Sequence, residues 1–315
     1  MLIRTNRNRK AGWCGRGPSS DNLRRTHSCC GGGPGLVNRD LALAQELNRA
    51  YLRDMAVGEI VTVDGVRRDP RKVAALLGAL GRNTATYVSN RTLQLDSAEF
   101  GQRIDPTTIA TYLDALERLW VLTPQYPWGG HLRSKAPARK APKRHLADPA
   151  LAVAAMGATP ADLLQDHATF GQVFETLVFR DLCVYAQANG CDVRAFQDSK
   201  GNEIDAVVTK GTQWAGLEVK LSAAPPVIDA AAAGLRAITD RMASRPRFLA
   251  VVTADSPTYT RLDGVHVIAV TDLGDWCSIG FVASPIIAGR PIRVGRRPNH
   301  RCLLAFAGIG CVHPS

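Results

Sequence analysis

The chain has 315 residues, of which 45% are hydrophobic, and it carries a formal charge of +11 at pH 7. That length and composition indicate a globular protein with one large or two modest domains. The charge is uneven, because residues 1–50 carry +6 and residues 276–315 carry +5, while the residues between them are balanced. This balance excludes an argument for nucleic-acid binding from net charge alone, so any such argument has to depend on local clusters.

Both ends of the chain differ in composition from its middle. Residues 1–40 mix Arg, Gly, Cys, Ser and Pro without periodicity, which predicts a disordered N-terminal tail, and residues 276–315 predict an irregular C-terminal tail. No apolar signal region follows the basic N-terminus, and no CxxC pair is present. The longest apolar runs are shorter than the roughly 20 residues of a membrane span. We therefore expect a cytoplasmic protein with no membrane partner.

Residues 41–150 predict a winged-helix-like helical domain. Two helices begin with an Asp-Pro pair, at 69–70 and at 105–106, where the Asp caps the helix and the Pro occupies its first position. A short helix is predicted between them near residues 91–95. Three helices in this order are typical of a helix-turn-helix, and the stretch 122–147, which is rich in Pro and Gly, lies where a wing would follow.

A cluster of basic residues lies within the predicted wing. It contains six Lys or Arg and no acid, which favours a DNA partner contacted through Arg133, Lys135, Arg139, Lys140, Lys143 and Arg144. Two alternatives stay open. The run is also consistent with a flexible linker, because Pro137 and Pro142 interrupt it. The helix that begins after Asp105 either reads DNA or packs the two domains together, and Trp120 at its end is expected to be a packing residue.

Residues 151–275 predict an α/β domain with an αβββαβ core. Its order is one helix, three strands, a second helix and two strands, read from FGQVFETLVFRDLCVYA, DVRAFQ, EIDAVVT, WAGLEVK, VIDAAAAGLRAITDRM, RFLAVVT and GVHVIAV. The second and third strands form a hairpin. A four-residue loop at 210–213 fixes its register, so that Asp205 faces Glu218 and Glu203 faces Lys220 on one face of the sheet. The other face is apolar, with Ile204, Ala206, Val208, Leu217 and Val219.

The carboxylates of this hairpin predict a metal site. Two opposed carboxylates repel each other unless a cation or a proton lies between them, and Mg²⁺ or Mn²⁺ suits such oxygen ligands. Glu175, on the helix before the sheet, adds a third acid to the predicted metal ligands Asp205 and Glu218. Lys220 is positioned to activate water or to offset charge on a phosphate. The alternative is a solvated sheet face on which Glu203 pairs with Lys220.

The order FGQVFE, GNEIDAVV and LEVK resembles the PD-(D/E)XK nuclease superfamily. In that superfamily a helical Glu, a strand Asp and an ExK motif on the next strand bind the metal. The resemblance implies a restriction-endonuclease-like fold and assigns these roles to Glu175, Asp205, Glu218 and Lys220, with Asp205, Glu218 and Lys220 as the catalytic set.

Upstream, TIATYLDALERLWVL and APKRHLADPALA resemble the winged-helix part of bacterial and archaeal AAA-type ATP-binding proteins, whose C-terminal halves form a domain of unknown function. The resemblance spans about residues 50–275. Those relatives begin with an ATPase, whereas this sequence contains no GxxxxGK[ST] loop, so no ATP cofactor is expected.

Three functions follow from these patterns. The leading hypothesis is a metal-dependent, DNA-binding, nuclease-like protein that hydrolyses phosphodiesters. The second is a non-catalytic remnant of an AAA-type ATP-binding protein that acts as a DNA- or protein-interaction module. The third is a winged-helix regulator. A superfamily resemblance alone does not establish catalysis, because function is decided by the site.

Overall fold

A computed structural model describes residues 40–129 and 141–274, and both predicted tails lie outside these ranges. The first range contains four helices, α1 (Leu41–Asp54), α2 (Pro70–Arg82), α3 (Asn90–Glu99) and α4 (Pro106–Arg118). After α1 the chain continues through a π-helical turn (Met55–Glu59) and one further turn (Ile60–Thr62). None of the helices in the two ranges is long and apolar enough to cross a membrane.

Both predicted Asp-Pro helix starts are confirmed. Asp69 caps α2 by accepting a hydrogen bond from the backbone N–H of Arg71, and Asp105 caps α4 in the same way through Thr107. These side chains pair N–H groups that have no partner inside the helix. The sequence did not predict α1, whose N-cap is Asp40.

A small antiparallel sheet follows the helices. Its strands β1 (Thr86–Tyr87), β2 (Leu122–Gln125) and β3 (Lys143–Leu146) lie in the order β1-β3-β2. Every residue of the central strand β3 is buried. Gln125 is opposite Lys143, and Thr123 is opposite His145.

Two further helices, α5 (Pro149–Met156) and α6 (Pro160–Gln165), connect the small sheet to the α/β part and were not predicted. Leu151 and Ala152 of α5 pack into the core of the helical domain. The contact of α2 with α5 depends on Gly81, because a Cβ there would lie 2.8 Å from the carbonyl oxygen of Ala152. The boundary predicted at residue 150 therefore falls inside a helix that packs with the first domain.

The α/β part confirms the predicted order of elements. It consists of α7 (His167–Ala188), β4 (Asp192–Gln197), β5 (Glu203–Lys210), β6 (Gln213–Lys220), α8 (Pro225–Thr239), β7 (Leu249–Thr253), a short β8 (Tyr259–Thr260) and β9 (His266–Ala269), with a 3₁₀ turn at Val270–Asp272. The six strands lie in the order β4-β5-β6-β7-β9-β8. The β6/β7 and β7/β9 pairs are parallel, and the others are antiparallel, so the sheet is mixed.

The register of the β5–β6 hairpin is the predicted one, with Thr209 opposite Trp214 and Ala206 opposite Leu217. The turn is tighter than expected, because Lys210 pairs with Gln213 and only two residues connect the strands. Gly211 has a φ of 60°, a conformation that glycine adopts at little cost.

Both faces of the large sheet are covered by helices. On one face α7 packs against the predicted apolar set, including Ala206, Val208 and Leu217. On the other face α8 packs against Val207 and Trp214. Two expectations therefore change. Ile204 lies in the α8 cluster, near an irregular β4–β5 register, and the second face is polar only at one end of the hairpin.

Candidate functional site

The acidic residues meet where β5 begins and β6 ends. These two ends are neighbours because the strands are antiparallel, so Glu203 and Asp205 come from β5 and Glu218 from β6. Glu175 reaches the same place from the third turn of α7. The structure thus brings together the acids that the sequence singled out, at the end of the sheet that faces the small sheet of the helical domain.

A lysine from the helical domain occupies the centre of this acidic cluster. The Nζ atom of Lys143, on β3, lies 2.7 Å from Glu175 Oε1, 2.5 Å from Glu203 Oε1 and 3.5 Å from Asp205 Oδ1. It also lies 5.5 Å from the centre of the Tyr87 ring, within the range of a cation–π contact. The Lys143 side chain is only 2% exposed. These acids therefore share an ammonium group of the protein.

Asp205 has a structural role at the edge of the hairpin. The regular β5–β6 pairing ends at Ala206 and Leu217, and Asp205 Oδ2 accepts a hydrogen bond of 2.8 Å from the backbone N–H of Val219. The carboxylate therefore takes the place of a backbone acceptor. Its other oxygen faces Lys143.

The remaining lysine of the cluster pairs differently from the expectation. Lys220 Nζ lies 2.8 Å from Glu218 Oε1 of its own strand, and Glu203 is paired with Lys143. The pair of Glu203 with Lys220, which belonged to the alternative of a solvated sheet face, is therefore not formed. Its physical reason is that the strands stop pairing before this point and that a stronger, buried cation is available to Glu203.

Burial and charge shift the pKa values within the cluster in opposite directions. Burial lowers the pKa of Lys143, but three carboxylates raise it by more, so the ammonium stays charged at neutral pH. Burial raises the pKa of Glu175 to about 8, with a further rise from Asp205 and an opposing effect of Lys143. Burial and Asp205 also raise the pKa of Glu218 to about 7, against the opposing effect of Lys220. The cluster therefore takes up protons near neutral pH.

These shifts predict how stability depends on pH. Glu175 and Glu218 hold protons more tightly when folded than at their ordinary value of 4.5, and this stabilisation is lost as the pH rises through about 7 and 8. The pKa of buried His145 is lowered, so this residue makes the free energy of unfolding rise with pH, but only below about pH 6.5. We expect the free energy of unfolding to fall by about 1–2 kcal/mol between pH 6.5 and pH 8. Urea denaturation measures the free energy of unfolding at both pH values. Glu175→Gln should reduce the difference between the two values, and an equal difference in both proteins would contradict the prediction.

The arrangement does not fit a divalent metal. Carboxylate oxygens suit Mg²⁺ or Mn²⁺, but a metal ion between Glu175 and Asp205 would lie against the ammonium of Lys143. Across residues 40–129 and 141–274, no group of three or more His, Cys, Asp or Glu side chains is arranged to hold a metal ion. We therefore assign no step to a metal here.

Two of the six residues predicted to contact nucleic acid are described, and both are buried. Lys143 lies in the acidic cluster, and Arg144 is directed into the helical domain, where it donates to the carbonyl of Val88 and to Asn90 Oδ1. Both side chains are thus bound by other residues of the protein, and neither adds to an exposed basic surface. The other four, Arg133, Lys135, Arg139 and Lys140, lie outside the described residues.

A buried chain of polar side chains joins the two domains beside the cluster. Gln125 of β2 donates to the carbonyls of Arg194 (3.0 Å) and Asp205 (2.8 Å), and its Oε1 lies 3.0 Å from His145 Nε2. The other ring nitrogen of His145 lies 3.2 Å from Thr176 Oγ1, on α7.

Thr84, before β1, extends this chain, because its Oγ1 lies 2.9 Å from that of Thr176. The His145 ring stacks on Phe179 with 4.1 Å between the ring centres. His145 is therefore an interface residue, a role that no sequence motif indicated.

The segment after β2 also joins the edge of the large sheet. The N–H of Trp128 donates to the carbonyl of Ala195, and the N–H of Ala195 donates to that of Tyr126. Trp128 packs on Trp214 with 4.7 Å between ring centres, so it is a packing residue. Trp120 is not: it is 81% exposed, and the prediction for it was wrong.

Comparisons with known proteins cover the two parts of the chain separately. Residues 22–162 match a family model described as a domain of unknown function (DUF8612), and residues 170–273 match another such domain (DUF4143). The comparison with curated proteins found no match.

Among solved structures, the chain is similar to the crystal structure of protein VC1899 from Vibrio cholerae, with 10% identity and a TM-score of 0.25. The match covers 74% of this chain and 53% of that one, so the chain spans about half the length of that protein. A likeness at this score supports no argument about function. The DUF4143 match is consistent with the C-terminal region that accompanies AAA-type ATPases.

Proposed function

We propose that the described part of this protein is a non-catalytic interaction module, similar to the C-terminal regions of AAA-type ATP-binding proteins, in which a nuclease-like acidic cluster has become part of the joint between two domains. The observation that carries the proposal is the position of the Lys143 ammonium among Glu175, Glu203 and Asp205. A protein cation there balances the charge that a catalytic metal would otherwise balance.

The surface of the helical domain supports a protein partner over DNA. On the exposed side of α4, Asp114 lies 3.7 Å from Arg118, so this side presents a balanced pair. Exposed apolar side chains are found on the same domain, and Leu43, Leu47 and Tyr51 follow one stripe of α1.

Trp120 adds to this argument because its side chain is 81% exposed. Its φ of 59° belongs to the end of α4, where the N–H groups of Trp120 and Val121 donate to the carbonyls of Glu117 and Leu116. Tryptophan is enriched among the residues that contribute most to protein interfaces.

Metal-dependent phosphodiester hydrolysis is the second candidate. It is favoured by Glu218 and Lys220, which line an open groove of about 500 Å³ between β6 and α8, and by Asp205, whose charge acts on Glu218. Hydrolysis would require Lys143 to leave the cluster first.

Plasmid nicking separates the two candidates. We expect the full chain to leave supercoiled plasmid intact in Mg²⁺ or Mn²⁺, with no difference between the parent and Asp205→Ala. A metal-dependent nicking activity that disappears in Asp205→Ala would refute the module and favour the nuclease. Salt-sensitive retardation of DNA in a gel, without nicking, would retain the module but change its partner to DNA.

A further inference from the structure

The acidic cluster receives its cations from two domains. The α/β domain contributes the carboxylates of Glu175, Glu203, Asp205 and Glu218, and its own Lys220 is engaged by Glu218. The second cation, Lys143, comes from β3 of the helical domain. Because a partly buried site screens charge weakly, the three carboxylates that face Lys143 would repel one another or take up protons without that cation.

The surroundings of Lys143 match an ammonium group. An ammonium has three N–H donors, and three carboxylate oxygens lie within 3.5 Å of Nζ. The Tyr87 ring adds a fourth contact. A side chain that is almost fully buried at this position meets no solvent that could replace these partners.

We infer that Lys143 is the resident cation of this cluster, and that its ammonium ties the charge balance of the α/β domain to the docking of the helical domain. The inference rests on the proposed function, because both require that no metal occupies the cluster in the parent protein. It extends that function by naming the Lys143 ammonium as the group that links the charge of the cluster to the contact between the domains.

The neighbours of Lys143 explain how the two events are coupled. Gln125, directly opposite Lys143 in the small sheet, donates to the carbonyl of Asp205, while the carboxylate of the same Asp205 faces the ammonium. His145, two residues further along β3, reaches Thr176 on α7, next to Glu175. The small sheet therefore delivers both the cation, from β3, and the polar contacts that hold it in place, from β2 and β3, and β3 cannot withdraw without exposing the carboxylates.

Thermal unfolding of the full chain with and without MnCl₂ tests the inference. We expect the Tm of the parent to be unchanged by Mn²⁺ or by EDTA, because the cluster already holds its cation. Lys143→Met keeps the length of the side chain but removes the charge, so its Tm should fall, and saturating Mn²⁺ should restore about 5 °C by binding the vacated carboxylates. Lys210→Met, at an exposed position on the hairpin, is the matched control. Its Tm should match that of the parent and should not change with Mn²⁺ or with EDTA.

Two outcomes would overturn the inference. One is a rise in the Tm of the parent with Mn²⁺ as large as that of Lys143→Met, and the other is a variant whose Tm Mn²⁺ leaves unchanged. If Lys143→Met does not fold, the double variant Lys143→Met with Glu203→Gln should recover a cooperative transition, because it removes one carboxylate as well as the cation. Failure of both to fold would count against the inference.

Nicking activity measured on the same samples keeps the two proposals apart. Nicking by the parent refutes the module whatever the melting curves show. A parent that neither nicks nor responds to Mn²⁺, together with a variant that Mn²⁺ does not stabilise, leaves the module standing and removes the assigned role of Lys143.

Discussion

Replacement of Lys143 by methionine is expected to lower the free energy of unfolding by about 3–5 kcal/mol, the cost of removing one partner from a buried ionic group. The three carboxylates that face its ammonium would lose their common counter-charge. Part of the loss is recovered when Glu175, whose pKa is already raised to about 8, takes up a proton. The destabilisation should therefore be smaller at pH 6 than at pH 8.

Urea denaturation of the parent and the variant at both pH values measures this effect. The matched control is Lys220→Met, which removes the other lysine of the cluster. Its side chain is 37% exposed and it has one carboxylate partner, so we expect a loss of about 1 kcal/mol or less. Equal losses for the two variants would mean that burial and the number of partners do not distinguish Lys143.

Replacement of Gln125 by leucine is expected to cost about 2–4 kcal/mol, because it leaves several buried polar groups without partners at once. The Gln125 residue is 1% exposed, and its amide serves the carbonyls of Arg194 and Asp205 and a ring nitrogen of His145. Leucine has a similar volume, so the loss of polar contacts dominates over any cavity.

Gln94→Leu is the control for this variant. Gln94 lies on α3 and is half-buried, and its Oε1 accepts a hydrogen bond from Arg91 near the surface. We expect a change within about 0.5 kcal/mol, as for surface substitutions in general. A loss of that small size for Gln125→Leu would show that the polar chain between the domains contributes little to stability.

The periodic parts of the sequence predicted the fold well. The Asp-Pro pairs fixed the starts of α2 and α4, and the alternation along EIDAVVT and WAGLEVK fixed the hairpin register. These signals are local, since capping and pairing each depend on a few neighbouring residues. The helices α1, α5 and α6 were not predicted, although α5 begins with the same kind of Asp-Pro pair, at 148–149.

The sequence predicted the acidic residues of the site but not the lysine among them. The acids Glu175, Asp205 and Glu218 could be grouped because they lie on the helix and the strands of a recognisable motif. Lys143 was assigned to an exposed basic run because its neighbours in the sequence are basic. The burial of Lys143 depends on the pairing of β3 with β1 and β2, which lie at least 17 residues earlier in the sequence. No local sequence pattern predicts such a pairing. The opposed carboxylates of the hairpin were the one sign in the sequence that another group had to supply a cation there.

The delivery of Lys143 by β3 also determines where this protein can be divided. The two family matches meet between residues 162 and 170, a natural place to cut the chain. A fragment that begins there would carry the strands and α7 but would leave behind both the ammonium and the amide of Gln125. In such a fragment the carboxylates of the cluster would lack the positive charge that balances them in the intact polypeptide. The smallest self-sufficient unit is therefore the pair of halves together, even though each half has its own sequence signature.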